Sequence, residues 1–331
     1  MIQMSSKLSQ IQKELLKIYK IVKTLCEKNR IPFYAIGGTA IGAVRHKGFI
    51  PWDDDIDLGI PVNYYKKFVK ACQKDLPSPY KFVPLNIFGG KIHNPKTTFL
   101  EAQCIFSNRS QFYGVFIDIF PIIGLPNDST QRTDFLIELR KYHNKAFIFD
   151  RYPKVSQLSK SEIDRLRDKL MYKYDLDKTQ YATEFATGYN FTYNVSGFKN
   201  PIFMQFEDTT IPLSSSYDQD LKNVFGNYMQ LPPIKERHTH DKYTLIDLKK
   251  PCNFYYKKLQ KIDPNVLKLL KLKDEQEGHF FDELLSISLE YENSLKLHQA
   301  KDHEISNLYK ELNQIKSSHI AKLLFKLKRR P

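Results

Sequence analysis

Residues 37–59 hold glycine and aspartate in an order that strongly limits what this chain can fold into. The segment opens with two glycines and a threonine and closes on a run of carboxylates at Asp53, Asp54, Asp55 and Asp57. In an extended strand, successive side chains alternate between faces, which predicts that Asp54 points away from the other three. Carboxylates about 6 to 7 Å apart on one face repel each other unless a cation lies between them. The segment therefore predicts a site for a divalent cation.

The type of ligand and the upstream glycines indicate phosphorus chemistry. Oxygen ligands favour Mg²⁺ or Mn²⁺, and Mg²⁺ is usually held by one or two carboxylates together with substrate phosphates. Residues 30–36 read as a short strand that leads into a helix beginning at the glycines. Glycine lets a ligand approach the backbone closely, and the free N–H groups of a helix N-terminus favour a phosphate. We expect the phosphate contacts to come from Gly37, Gly38, Thr39, Arg45 and Lys47.

A single carboxylate, Asp118, interrupts the apolar and β-prone run of residues 115–120. This pattern predicts a buried central strand. A lone charge in such a strand is costly unless it is paired or bound to a metal. From the residues alone, Asp118 either completes the cation site, or caps a turn, or pairs with an arginine.

The segment from Gly38 to Asp57 resembles the signature of the LicD/fukutin family, whose members are phosphotransferases on a nucleotidyltransferase fold. The likeness continues in residues 114–122 and, less closely, in residues 224–238. It extends over roughly residues 10–255. The resemblance implies an α+β fold, with a nucleotidyltransferase-like mixed sheet flanked by helices. The apolar spacing after about residue 276 adds an extended C-terminal helical segment to this expectation.

The resemblance also implies roles for individual residues. Asp55, Asp57 and Asp118 would hold the Mg²⁺ or Mn²⁺ and carry catalysis, with Asp118 able to act as general base. Lys91, Arg237 and His238 would join the phosphate contacts, although Lys91 reads equally well as a surface lysine. The family pattern has an arginine and an aspartate where His93 and Asn94 stand.

The histidines at the end of residues 224–238 and just after it raise the question of a second metal. His238, His240 and Cys252 are all residue types that bind zinc. The chain contains no C-x-x-C pair, the spacing that zinc sites commonly use. The sequence leaves open whether these three residues bind a metal.

The implied reaction moves a substituted phosphate from a CDP-activated donor, of which CDP-choline is the best-known kind, to a hydroxyl group. The group moved is phosphocholine or a polyol or glycerol phosphate. The acceptor is a cell-surface glycan, such as lipopolysaccharide, teichoic acid or capsule, or its lipid-linked precursor. Two alternatives stay open: a nucleotidyltransferase that moves NMP from NTP to a small molecule, and a non-catalytic scaffold at a membrane surface.

Residues 181–217 are rich in aromatic and small polar side chains without a clear period, and we expect acceptor specificity to lie there. The aromatic residues either pack in the core or form a cage for a quaternary ammonium group by cation–π attraction. They are Tyr181, Phe185, Tyr189, Phe191 and Tyr193.

Composition predicts a cytoplasmic protein. The 331 residues, 41% of them hydrophobic, are enough to bury a substantial core. The four cysteines are scattered, and no segment reaches the roughly 20 apolar residues of a membrane span. The N-terminus also lacks the apolar stretch of a secretory signal.

The C-terminal part has a different pattern, which predicts two domains, residues 1–260 and 275–331. In residues 284–315, apolar side chains recur at intervals of three and four residues, which predicts a long helix or a short coiled coil. A coiled coil would allow a homodimer, and the sequence does not decide whether one forms. Residues 320–330 combine the same spacing with a basic face that suits peripheral contact with the inner face of a membrane, or a solvated terminus. The net charge of +14 alone does not predict specific nucleic-acid binding, because no such module is present.

Overall fold

The computed structural model describes residues 6–101, 114–151, 156–186, 191–239 and 243–259. The helices are α1 (Ser6–Lys28), α2 (Gly37–His46), α3 (Val62–Asp75), α4 (Ser129–Arg151), α5 (Lys160–Met171), α6 (Tyr217–Phe225) and α7 (Cys252–Leu259). The strands are β1 (Tyr34–Ala35), β2 (Asp57–Pro61), β3 (Lys81–Pro84), β4 (Gly90–His93), β5 (Thr98–Glu101), β6 (Phe116–Leu125), β7 (Tyr181–Glu184), β8 (Tyr193–Asn194), β9 (Ile202–Phe206), β10 (Thr209–Leu213) and β11 (Tyr243–Asp247). The predicted α+β class is confirmed.

The main sheet is mixed and is built around β6. Its strand order is β1-β2-β6-β4-β3, with β7 pairing to the second half of β6 and β8 to β7. The β2–β6 pair is parallel, and the other pairs are antiparallel. β6 is therefore the central strand, as predicted for the run around Asp118. Its isoleucines at 117, 119 and 122 are fully buried.

Helix α1 covers the sheet with one apolar stripe. Ile11, Leu15, Ile18 and Val22 recur at three and four along the helix and are all buried. Tyr19 lies on the same face, and its hydroxyl donates a hydrogen bond to the Thr210 carbonyl at 2.7 Å. The helix is thus fixed both to the sheet and to the β9–β10 hairpin.

The turn of the β9–β10 hairpin supports the chain that follows α2. The Glu207 N–H donates to the Lys47 carbonyl at 2.8 Å. The Glu207 carboxylate accepts the Phe49 N–H at 3.0 Å. The hairpin therefore holds in place the segment that leads from the glycine-started helix to the aspartate run.

The predicted C-terminal domain, residues 275–331, and its basic tail lie outside the described residues. The two-domain division stays a prediction. Within the part of the chain that the structure describes, no helix combines the length and apolar character needed to span a bilayer.

Candidate active site

Asp57 and Asp118 are direct neighbours on the central strands. They occupy the same register position of the parallel pair β2–β6, so their side chains point to the same face of the sheet. Asp57 is the first residue of β2 and Asp118 the third of β6. The structure thus brings together two carboxylates that are 61 positions apart in the sequence.

The aspartates before β2 do not follow the strand alternation expected from the sequence. The paired strand begins only at Asp57, and the Asp53 N–H closes a turn by donating to the Ile50 carbonyl at 2.9 Å. Because residues 53–55 precede the ladder, in which the Asp118 N–H donates to the Ile56 carbonyl at 2.9 Å, the period of two does not apply to them. Carboxylate oxygens of Asp53, Asp54 and Asp55 all lie within 4.8 Å of one another. The prediction that Asp54 faces away from its neighbours was wrong.

Crowding of negative charge shows most clearly at Asp57. Burial raises the pKa of its carboxyl well above the usual range, and the neighbouring charges of Asp55 and Asp118 raise it further. Glu184 and Asp53 act in the same direction. Five carboxylates therefore share one region of the molecule, an arrangement that a bound cation would relieve.

The N-terminus of α2 faces these carboxylates. Gly37 has a φ of +53°, and a Cβ placed on it would lie 3.5 Å from Asp57 Oδ2. A Cβ on Gly38 would lie 3.0 Å from Asp53 Oδ2. The Thr39 hydroxyl oxygen accepts the Asp57 N–H at 2.8 Å, which joins the helix to the start of β2. Free N–H groups of the first helical turn thus open next to the carboxylates.

Lys91 balances part of this charge. It pairs with Asp118 in the β4–β6 register, and its Nζ lies 3.0 Å from Asp118 Oδ1. The ammonium group also stands 3.3 Å from the centroid of the Phe116 ring. Lys91 therefore lies against a carboxylate of the candidate site. Of the two alternatives left open for it by the sequence, the free surface lysine does not fit this environment.

His93, the last residue of β4, and Asn94, which follows it, have structural roles. His93 and Asn94 are both buried. The Asn94 side-chain amide donates to Glu14 of α1 at 2.6 Å. Burial lowers the pKa of His93 to about 4, with Lys81 and Lys91 contributing. A buried, neutral histidine has no charge to offer a phosphate.

Arg45 and Arg237 lie close together, and Arg237 is next to Trp52, the residue that precedes the aspartate run. The Arg45 guanidinium donates to the carbonyl of Tyr228 and, at 3.4 Å, to that of Gln230. Arg237 lies over the Trp52 ring, 5.4 Å from its centroid. Burial lowers the pKa of Arg45, and the charge of Arg237 lowers it further. The fold thus brings residues 224–238 against the segment from Gly38 to Asp57.

Lys47 and His238, two other predicted phosphate contacts, are exposed at the surface. Lys47 ends α2 in a left-handed conformation and is exposed. His238 is also exposed, and its ring contacts the Thr239 carbonyl at 3.0 Å. His240 lies outside the described residues. Among those described, His238 and the buried Cys252 belong to no cluster with metal-binding geometry.

Sequence reasoning missed Gln12, a buried polar residue on the apolar stripe of α1. Its side-chain amide donates to the Asp53 carbonyl at 2.8 Å and to the Ile50 carbonyl at 3.3 Å. These bonds hold the backbone of the turn that carries the aspartate run. The only signal in the sequence was a polar residue among apolar residues at helical spacing.

It also missed Glu184, the last residue of β7. Glu184 pairs in register with Ile122, which shares its side of β6 with Asp118, so Glu184 points to the carboxylate face. Its carboxylate accepts a hydrogen bond from the Tyr193 hydroxyl. Burial raises its pKa to about 7, and the bond from Tyr193 opposes that rise. No sequence pattern distinguished this glutamate from a surface residue.

The aromatic residues of 181–193 do not act as one group. Phe185 is fully buried against Tyr142 and His143. The Tyr181 ring is covered by the Arg132 guanidinium, 4.3 Å from its centroid. Tyr189 lies outside the described residues. Phe185 and Tyr181 are thus already occupied by protein groups, which favours core packing over a cage for these two.

A glycine-started helix aimed at carboxylates on adjacent strands of a mixed sheet is the site of a nucleotidyltransferase-type fold. Residues 30–153 match a family model described as LicD/FKTN/FKRP, nucleotidyltransferase domain. Residues 30–153 are therefore similar to the nucleotidyltransferase domain of the LicD family, and the resemblance seen in the sequence is confirmed.

Individual relatives agree with this assignment. The chain is 27% identical over 256 residues to the lipopolysaccharide cholinephosphotransferase LicD of Haemophilus influenzae, an alignment that covers 68% of this chain and 92% of the relative. It is also 46% identical over 52 residues to an uncharacterized protein of Rickettsia typhi, covering 15% of this chain and 17% of that protein. An uncharacterized protein of Rickettsia prowazekii is 47% identical over 51 residues, or 14% and 19% of the two chains. The expected enzyme class, a LicD-type transferase, is thereby supported.

Proposed function

We propose that this protein transfers phosphocholine from CDP-choline to a hydroxyl group of lipopolysaccharide or a related lipid-carried glycan, with Mg²⁺ or Mn²⁺ in its carboxylate site. The observation that carries the proposal is the register pairing of Asp57 with Asp118 in front of the α2 N-terminus. The named transferase aligned over nearly its whole length supports the choice of phosphocholine.

The donor set fits a hard divalent cation. The ligand groups are carboxylate oxygens, with three of them clustered within 4.8 Å and Asp57 beside Asp118. Burial raises the pKa of Asp57, and the negative charges of Asp55 and Asp118 raise it further, as expected for a carboxylate cluster that a bound cation would stabilise. Asp55, Asp57 and Asp118 would hold the ion, and Asp53 and Asp54 are near enough to Asp55 to share in it. When bound, such an ion neutralises negative charge on a donor pyrophosphate.

Several groups of the chain would contribute to binding the donor. Backbone N–H groups at the start of α2 face the carboxylates, where they can donate to phosphate oxygens, because Gly37 and Gly38 leave that space free of side chains. The Thr39 hydroxyl oxygen accepts the backbone N–H of Asp57 and so fixes the position of Asp57. Lys91 supplies a positive charge at the same face. Together these groups would hold the donor phosphates in one orientation.

The transfer itself would use Asp118 as the proton acceptor. The acceptor hydroxyl oxygen forms a bond to the phosphorus of the phosphocholine group, and the bond from that phosphorus to the bridging oxygen breaks. The hydroxyl proton passes to Asp118, and CMP leaves with the bridging oxygen. Negative charge spreads over the phosphoryl oxygens in the transition state, so positive groups placed beforehand lower the barrier.

A donor screen tests the proposal. Purified protein with Mg²⁺ or Mn²⁺ is mixed separately with CDP-choline, CDP-glycerol, CDP-ribitol and the four NTPs, with and without lipopolysaccharide. Binding, CMP and pyrophosphate are measured. Asp55→Asn with Asp57→Asn serves as the inactive variant, and Asp208→Asn, in a surface ion pair with Lys20, serves as the matched control.

The proposal expects metal-dependent CMP release with CDP-choline, retained in the control and lost in the double variant. Preference for another CDP donor would change the group moved and keep the reaction class. Pyrophosphate release from an NTP would favour the alternative nucleotidyltransferase. Failure to bind any donor would overturn the catalytic proposal and favour the scaffold.

A further inference from the structure

Exposed apolar side chains are concentrated in residues 225–234, here called the apolar segment. Eight large hydrophobic side chains are exposed among the described residues, and four of them fall in these ten positions. They are Phe225 at 42%, Met229 at 51%, Leu231 at 44% and Ile234 at 72% exposure. Single exposed hydrophobic residues are ordinary, but a group of them on one short segment marks an interaction surface.

The apolar segment is fixed to the body of the protein at its centre. Tyr228 is buried, and its hydroxyl donates to Asp218 at 2.8 Å. Arg45 donates to the carbonyls of Tyr228 and Gln230, and Arg237 to that of Pro232 at 2.8 Å. The exposed side chains on either side of Tyr228 are therefore presented outward by a segment whose backbone is held in place.

Positive charge accompanies these side chains. Within the described residues, Arg45 and Arg237 contact carbonyl oxygens and aromatic rings, and no carboxylate pairs with either. Lys235 is exposed next to Ile234, with Glu236 as the acidic neighbour. Guanidinium groups beside an apolar surface complement the phosphate headgroups and acyl boundary of an anionic bilayer.

We propose that the apolar segment docks the protein on an anionic phospholipid bilayer, with Met229, Leu231 and Ile234 entering the headgroup region. The choice of a bilayer as the occupant rests on the proposed function, in which the acceptor is carried by a lipid. Arg45 belongs to the helix whose other end faces the carboxylates, so docking would place the site close to an acceptor at the membrane surface. This surface is distinct from the basic tail at residues 320–330.

Vesicle binding by the full-length chain tests the inference without any donor or acceptor. The variant Leu231→Asp with Ile234→Asp removes the apolar character of the segment. The matched control, Ile202→Asp with Phe203→Asp, changes two comparably exposed hydrophobic residues on β9. Co-sedimentation is measured with vesicles of phosphatidylglycerol and phosphatidylethanolamine, and with phosphatidylcholine alone. Circular dichroism establishes that each variant is folded.

A second readout comes from Trp52, the only tryptophan of the chain, whose ring lies under Arg237. The inference expects the segment variant to lose at least tenfold in binding to the anionic vesicles while the control stays within twofold. It also expects a vesicle-dependent change in Trp52 emission that the segment variant lacks. Because the tail is present in every protein tested, its contribution cancels in the comparison.

Three results would overturn the inference. Wild-type protein could fail to bind the anionic vesicles, or the segment variant could bind as well as the control. Sedimentation without vesicles could instead show a wild-type dimer that the segment variant abolishes, which would assign the surface to a second copy of the chain. The donor screen is separate, so vesicle binding by a protein that turns over no donor would reject the proposed function and leave the docking surface standing.

Discussion

The Nζ atom of Lys91 on β4 lies 3.0 Å from Oδ1 of Asp118 on β6, and the two residues are register partners. Asp118 is in turn the register partner of Asp57. One row across three strands therefore carries a lysine and two carboxylates. This row places Asp118, which is proposed both as a metal ligand and as the proton acceptor, between a positive charge and a second proposed ligand.

Replacing Lys91 tests this row. In Lys91→Met, the loss of a charge-assisted bond worth about 1.5–3 kcal/mol should lower kcat about 10- to 100-fold. CMP release from CDP-choline measures the change. Lys173→Met is the matched control, because it removes a surface ion pair with Glu138 and should keep wild-type kcat. An unchanged kcat in the Lys91 variant would show that this pair serves packing alone.

Gln12 should prove to be a positioning residue for the aspartate run. In Gln12→Leu, the carbonyls of Asp53 and Ile50 lose their buried donor, which should lower the free energy of unfolding by about 1–3 kcal/mol. Urea denaturation measures this. Mn²⁺ affinity, followed by electron paramagnetic resonance, should weaken as well. Loss of stability with unaltered Mn²⁺ affinity would limit Gln12 to a structural role.

Glu184 should make the protein less stable as the pH rises. Its folded-state pKa is about 7 against an ordinary value of 4.5, so the folded state retains a proton that the unfolded state releases. Stability from this group is full below pH 4.5 and falls by about 1.4 kcal/mol per pH unit up to about pH 7. Glu184→Gln should remove that dependence. Parallel pH profiles of unfolding for the two proteins, without added metal, would contradict the assignment.

His143 should have the opposite effect. It is buried between Tyr142 and Phe185, and burial lowers its pKa to about 3, below the ordinary 6.5. The unfolded state therefore takes up a proton first, and stability falls by about 1.4 kcal/mol per unit as the pH drops from 6.5 towards 3. His143→Phe should reduce this acid loss, measured by urea denaturation at pH 7.0 and 5.5. Burial also lowers the pKa of His93, so His93 contributes a similar but smaller loss of stability at acid pH in both proteins. Equal losses in variant and wild type would refute the prediction.

Local patterns predicted the parts of this site that are local in sequence. The glycine-started helix, the carboxylate of β2 and the central strand around Asp118 all lie in short segments with strong patterns. The facing of Asp54 was predicted wrongly, because a turn closed at Asp53 delays the start of the strand. Alternation applies only where the ladder has begun.

Long-range contacts account for what was missed. Gln12 reaches the Asp53 carbonyl from 41 positions away, and Glu184 enters the carboxylate face only because β7 pairs with the far half of β6. The approach of Arg237 to Arg45 likewise depends on backbone carbonyls of residues 228–232. Polar groups acquire such roles through tertiary pairing, which periodicity and propensity do not encode.

Doubly labelled CDP-choline shows which part of the donor reaches the acceptor. With tritium in cytidine and carbon-14 in choline, the protein is incubated with Mg²⁺ and lipopolysaccharide, beside a variant carrying Asp57→Asn and Asp118→Asn. The proposed reaction predicts carbon-14 on the acceptor, tritium only in CMP and unreacted donor, and neither product from the variant. Tritium on the acceptor, or equal transfer by the variant, would contradict it.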